Sequence, residues 1–167
     1  MDPGHGGDCC PGAEGPTGLT EKEINLTTAL YLRDFLVAAG CTVYMTRETD
    51  EDVDLSDRSG LANLMRVDRC ISIHHDGNED TTINHTKVYV WTDTPQTDLD
   101  MASEIVHELD AALDIGVGST NCDTWGVVAG DLHMVREPVM PCCLPVLMWR
   151  CSTLPGMVVL PQTMLFS

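Results

Sequence analysis

The sequence predicts an α/β fold of three layers, a mostly parallel or mixed sheet of about five to six strands flanked by helices. Two observations predict it: strand-length apolar runs alternate with segments of helical periodicity along most of the chain, and those runs are too short and too interrupted to be helices. A third sets the scale. With 43% hydrophobic and 21% charged residues, 167 residues can bury one good core and not two full-sized ones, so one domain over 1–167 is expected.

The elements follow in order. Residues 1–20 are rich in Gly and Pro and lack apolar periodicity, which reads as a loop. Thr20 then opens a capping box with Glu23, and Ile24, Thr28, Tyr31, Leu32, Phe35 and Leu36 recur at helical spacing until Gly40, so a helix is expected over 21–39. Thr42–Thr46 is a short β-rich run, followed by an acidic turn through Asp54 and a helix from Ser56 to Met65. Residues 69–74 (RCISIH) form a buried strand, and after a polar loop Lys87–Thr92 alternates as another. Leu99, Ala102, Val106, Leu109 and Leu113 mark an amphipathic helix over 97–114. Asp131–Val135 and Cys143–Met148 are the last expected strands, and Leu154–Ser167 is a tail broken by Pro155, Gly156 and Pro161.

Composition narrows the function classes. A formal charge of -17, with lysine confined to Lys22 and Lys87, would repel a polyanion at long range, so nucleic acid is not the expected partner. Such acidity also suits solubility in high salt, although many ordinary domains are acidic. No apolar stretch is long enough to span a membrane, and the start lacks the basic-then-apolar run of a signal peptide. The eight cysteines include the adjacent pairs Cys9-Cys10 and Cys142-Cys143 but no Cys-x-x-Cys couple, which favours small core residues over a zinc knuckle. Disulfides would require an oxidising compartment.

Three residues stand where chemistry gathers. His5 lies in DPGHGG, where glycines let the backbone turn tightly and approach an ion; a glycine-flanked histidine is also common in plain turns. Glu21 sits at the first turn of the expected helix, a position that favours a carboxylate with or without a ligand. His74 ends the ISIH strand, and ligands collect at the carboxyl ends of strands in open α/β sheets. His75 should point the other way, toward solvent or a pocket wall, and is not counted as a ligand. For His85, His107 and His133 a surface or core role is expected.

Taken in order, DPGHGG, TEKEINL (20–26), AAGCTVYMTR (38–47), LSDRSGLAN (55–63), ISIHHD (71–76), GVVAGDLHMVR (126–136) and MPCCLP (140–145) resemble the zinc-dependent N-acetylmuramoyl-L-alanine amidases of the AmiC type, amidase type 3. The resemblance runs from residue 2 to about 150 and leaves 151–167 atypical. It implies Zn2+ held by His5, Glu21 and His74, with an open position for a water nucleophile. It also implies a peptidoglycan substrate, cleaved at the amide between N-acetylmuramic acid and L-alanine, and a monomer working in the cell envelope, outside the cell or as a phage lysin. Arg47, Arg58 and Asn63 match the pattern as polar supports of the fold.

Two departures stand out. The family's catalytic glutamate, at the end of a motif like MPAVLPE, falls here on Val146, which cannot accept a proton; Glu137 and Asp76 are the acids nominated as substitutes. Loss of general acid-base help typically costs about 10²- to 10⁴-fold, so a catalytically impaired homologue that binds zinc and wall peptide is one alternative. A zinc hydrolase of another amide is a second. The other departure is the apolar first strand of the family, which is expected to be missing before DPGHGG; either residues such as Met157–Leu160 fill the gap or the chain is an incomplete piece.

Overall fold

The protein is described from a computed structural model that covers residues 1–78, 85–93, 95–114, 126–138, 140, 142–147 and 149–150. Its elements are β1 (Asp2–Pro3), α1 (Glu21–Ala38), α2 (Leu55–Met65), β2 (Cys70–Ile73), β3 (Gly77–Asn78), β4 (Thr86–Val90), α3 (Gln96–Leu113), β5 (Val127–Ala129), α4 (His133–Arg136), β6 (Cys142–Leu147) and β7 (Trp149–Arg150). Five strands form a mixed sheet in the order β1-β2-β6-β4-β5, in which only the β4–β6 pair is antiparallel. β3 and β7 form a separate parallel pair.

Side-chain alternation along the strands gives the sheet two apolar faces. One face gathers Cys70, Cys142, Leu144 and Val146 with Ala62 of α2 and Met134 and Val135 of α4. The other gathers Val88, Val90, Val127 and Cys143 under Ala102 and Val106 of α3. Full burial of a valine such as Val106 stabilises by about 1.5–3 kcal/mol, which is why the three- and four-residue spacing in 97–114 selects this face of α3. Mixed sheet and flanking helices agree with the expected layered architecture.

α1 begins where its capping box places it: Glu23 Oε2 accepts from Thr20 N at 2.9 Å and from Thr20 Oγ1 at 2.7 Å. Its buried face is not the apolar stripe read from the sequence. Glu21, Asn25 and Ala29, spaced by four, are the buried positions, while Tyr31 is 52% exposed. The helix turns a polar stripe inward because that stripe carries the site.

The motif DPGHGG itself supplies the edge of the sheet: Asp2 and Pro3 pair parallel with Ser72 and Ile73, a two-residue ladder in place of a full apolar strand. Two expectations are corrected. Thr42–Thr46 forms no strand: Met1 donates to Tyr44 O at 2.6 Å and accepts from Thr46 N at 3.0 Å, two backbone bonds that do not extend into a ladder. Within Asp131–Val135 the chain turns into α4, because the amides of Val135 and Arg136 both return to Leu132 O at 3.1 and 3.0 Å. Met148, Met157–Leu160 and the tail 154–167 lie outside the described residues. Cysteine is a core residue at Cys70, Cys142 and Cys143, whereas Cys9, Cys10 and Cys41 are exposed.

Candidate metal centre

The structure brings together the three residues that the sequence singled out. Glu21, the first residue of α1 and 2% exposed, lies between two imidazoles: its Oε2 is 3.2 Å from His5 Nε2 and its Oε1 is 2.9 Å from His74 Nδ1. Nitrogen and oxygen ligands about 2.0–2.2 Å from a tetrahedral ion stand roughly 3.3 Å apart, so a few tenths of an ångström of opening would turn these hydrogen-bonded contacts into a site for one ion. One ligand atom from each residue lies within 4.8 Å of the others, and the two rings meet edge to face with centroids 5.0 Å apart. The set is two imidazoles and a carboxylate, borderline ligands of the kind zinc takes.

Electrostatics keep the carboxylate charged. Burial pushes the Glu21 pKa up, but hydrogen bonds from His5, His74 and the Ala13 amide outweigh it and hold the group below the ordinary carboxylate range. An anion is therefore ready for a cation without first losing a proton.

The loop carrying His5 is held by groups distant in sequence. His5 itself has φ 60°, a left-handed conformation uncommon for a residue with a side chain. Buried Arg47 donates to Pro3 O at 3.0 Å and Gly4 O at 2.9 Å, and Arg58 donates to Pro3 O and His5 O, each at 2.9 Å. Arg58 also pairs with Asp2 at 2.8 Å, and Asp2 accepts from Ser72 Oγ and Thr46 Oγ1 at 2.6 Å each. Both arginines are thus the supports the sequence suggested; Asn63, in α2, donates to Glu137 O at 3.2 Å.

Asn25 was missed by sequence reading. It lies one turn after Glu21 and donates to Gly4 O at 3.0 Å, while its Oδ1 stands 2.7 Å from His75 Nδ1. The available signal was the four-residue spacing of Glu21, Asn25 and Ala29. His75 is accordingly neither solvent-facing nor a pocket wall: it is 7% exposed, and burial pushes its pKa down to about 4. Its backbone N–H donates to Glu21 Oε1 at 3.1 Å. His133 lies 3.0 Å from Ser59 Oγ, and His85 and His107 are outside the cluster.

Val146 sits beside the trio. It bridges His74 in parallel register, His74 N donates to Pro145 O at 3.1 Å, and Val146 is 2% exposed among the apolar residues under α2 and α4. Paired residues of a sheet share a face, so the side chain next to His74 is a hydrocarbon. The nominated substitutes have other partners among the described residues. Asp76 lies 3.8 Å from Lys87 Nζ, and exposed Glu137 accepts from Arg136 Nε at 2.7 Å.

Comparison with known proteins adds the lineage. The family profile for N-acetylmuramoyl-L-alanine amidase matches residues 1–152. The chain belongs to this amidase family. A sporulation-specific N-acetylmuramoyl-L-alanine amidase of Bacillus subtilis is 33% identical over 146 residues, 86% of this chain and 52% of that protein. The amidase AmiC of Neisseria meningitidis is 39% identical over 90 residues, 54% of this chain and 21% of the relative. The chain therefore spans about half or less of the length of these curated relatives. Among solved structures, an N-acetylmuramoyl-L-alanine amidase from Clostridium difficile 630 superposes with a TM-score of 0.74 at 26% identity, covering 86% of this chain and 75% of that one.

Proposed function

We propose that this amidase-family chain is a zinc-dependent peptidoglycan hydrolase that cleaves the amide between N-acetylmuramic acid and L-alanine, acting at the cell wall. The observation that carries the proposal is the convergence of His5, Glu21 and His74 within ligand distance of one another. When bound, zinc supplies Lewis acidity that polarises an amide carbonyl and lowers the pKa of water. The residues do the rest. His5 and His74 supply neutral nitrogen ligands, Glu21 supplies the compensating charge, and Arg47, Arg58 and Asn25 fix the backbone that positions His5.

Purified chain loaded with zinc should release stem peptides from isolated cell walls, and chelation should abolish the release. No release above the chelated control would overturn the proposal. Zinc bound per chain should fall to background at this site in His5→Ala and His74→Ala.

Val146 favours a second reading, a homologue that holds zinc and wall peptide but turns over slowly. A general base placed beside His74 contributes typically 10²- to 10⁴-fold, roughly, so Val146→Glu should raise turnover by up to that factor. Val146→Gln, of the same shape but unable to take up a proton, should not. Equal activity in the two variants and the parent would remove Val146 from the catalytic account.

A further inference from the structure

A second cluster of ligating side chains lies outside the His5–Glu21–His74 centre. Cys9 Sγ is 2.9 Å from Cys10 Sγ and donates to Asp52 Oδ1 at 2.9 Å, and one ligand atom from each of the three lies within 4.8 Å of the others. All three residues are exposed, so an ion from solvent reaches them directly. Two segments far apart in sequence are needed to build the cluster, and the fold fastens them together. Gly7 N donates to Asp50 Oδ1 at 2.8 Å, and Lys22 Nζ ties Gly7 O at 2.9 Å to Asp50 Oδ2 at 2.6 Å. Gly6 N donates to Cys10 O at 3.1 Å, closing a tight turn that presents both thiols on one side. Gly7, at φ 64°, leaves room for Asp52: a Cβ there would stand 2.3 Å from Asp52 Cγ.

We propose that Cys9, Cys10 and Asp52 form a second metal site, for a borderline-soft divalent cation of the zinc class, with water completing the shell. Two thiolates and one carboxylate match the sulfur and oxygen ligands that zinc accepts, and hard cations such as Mg2+ or Ca2+ would not choose the thiolates. Sulfur ligands of one tetrahedral zinc stand about 3.8 Å apart, so the sulfurs separate by roughly an ångström on binding, which their exposed side chains permit. Binding expels the thiol protons to solvent, so affinity rises with pH. The site lies on the loop that carries His5, so an occupying ion braces that loop against the turn at 50–52. It does not depend on the hydrolytic function proposed above.

The experiment uses the reduced full chain carrying His5→Ala and His74→Ala, which removes the first centre. Titration with Co2+ as a spectroscopic stand-in should give a thiolate-to-cobalt charge-transfer band, and zinc should displace it at one equivalent. Adding Cys9→Ser and Cys10→Ser should abolish the band, while Cys41→Ser should leave it. Absence of the band, or its survival in the double serine variant, overturns the proposal. Should those variants fail to fold, the parent chain decides: zinc must protect Cys9 and Cys10 from alkylation, read by mass spectrometry, and unchanged alkylation overturns the site as well.

Discussion

His5 holds a left-handed backbone, φ 60°, at a cost of about 1–3 kcal/mol, and such strain persists only where the surroundings over-determine it. Here the determinants are visible: Arg58 takes the His5 carbonyl, and Arg47 and Asn25 take that of Gly4. Gly4 is required for a different reason. A Cβ at that position would stand 2.3 Å from the His74 ring, so Gly4→Ala must push that proposed ligand aside. Disturbing the support of a metal ligand typically costs 10- to 100-fold, roughly, in affinity. Gly4→Ala should therefore weaken zinc binding by about that factor in a calorimetric titration while its far-ultraviolet circular dichroism stays that of the parent. Unchanged affinity would mean that His74 is not held where Gly4 places it.

At the scale of elements, α1 shows why a helix can be legible and its orientation not. Thr20 and Glu23 announce its start: the bond from Thr20 N to Glu23 Oε2 is one the capping-box motif predicts, and Thr20 Oγ1 adds a side-chain bond to the same oxygen. Thr20→Ala should cost about 1 kcal/mol in urea denaturation, with the denaturant slope unchanged. The inward face is another matter, because Glu21 and Asn25 are buried for their polar contacts and hydrophobic periodicity cannot see that. The short strands fail for a related reason. β1 has two residues, and Thr42–Thr46 has β-type residues but shares too few backbone hydrogen bonds with Met1 to make a ladder, so pairing partners rather than propensity decide whether a strand exists. α4 likewise replaced an expected strand because amide–carbonyl bonds closed on Leu132.

Across the whole molecule, the Asp2–Arg58 pair joins the sheet edge to α2, with Asp2 1% exposed and Arg58 5% exposed. Removing one partner of a buried pair leaves an uncompensated charge, so Arg58→Met should destabilise by about 3–5 kcal/mol. Burial alone would raise the Asp2 pKa, but Arg58, Ser72 and Thr46 outweigh it and hold it below its ordinary value of 3.8. The folded chain thus keeps this carboxylate ionised at a pH where the unfolded chain takes up a proton. Its contribution is complete above the unfolded pKa and is lost as pH falls through the folded one. The stability difference between the parent and Asp2→Asn, measured by urea denaturation, should shrink as pH drops below about 4. A constant difference would deny the linkage. By itself the sequence determined the layered α/β class, the long helices and the identity of His5, Glu21 and His74, because periodicity, capping and motif order are local properties written along the chain. Only the tertiary structure decided that these three side chains meet, that α1 turns Asn25 inward, that Val146 lies against His74, and that Cys9 and Cys10 reach Asp52. Those facts depend on contacts between residues 16 to 72 positions apart, as in His5–Glu21 and His74–Val146, and no local pattern encodes which distant group closes the distance.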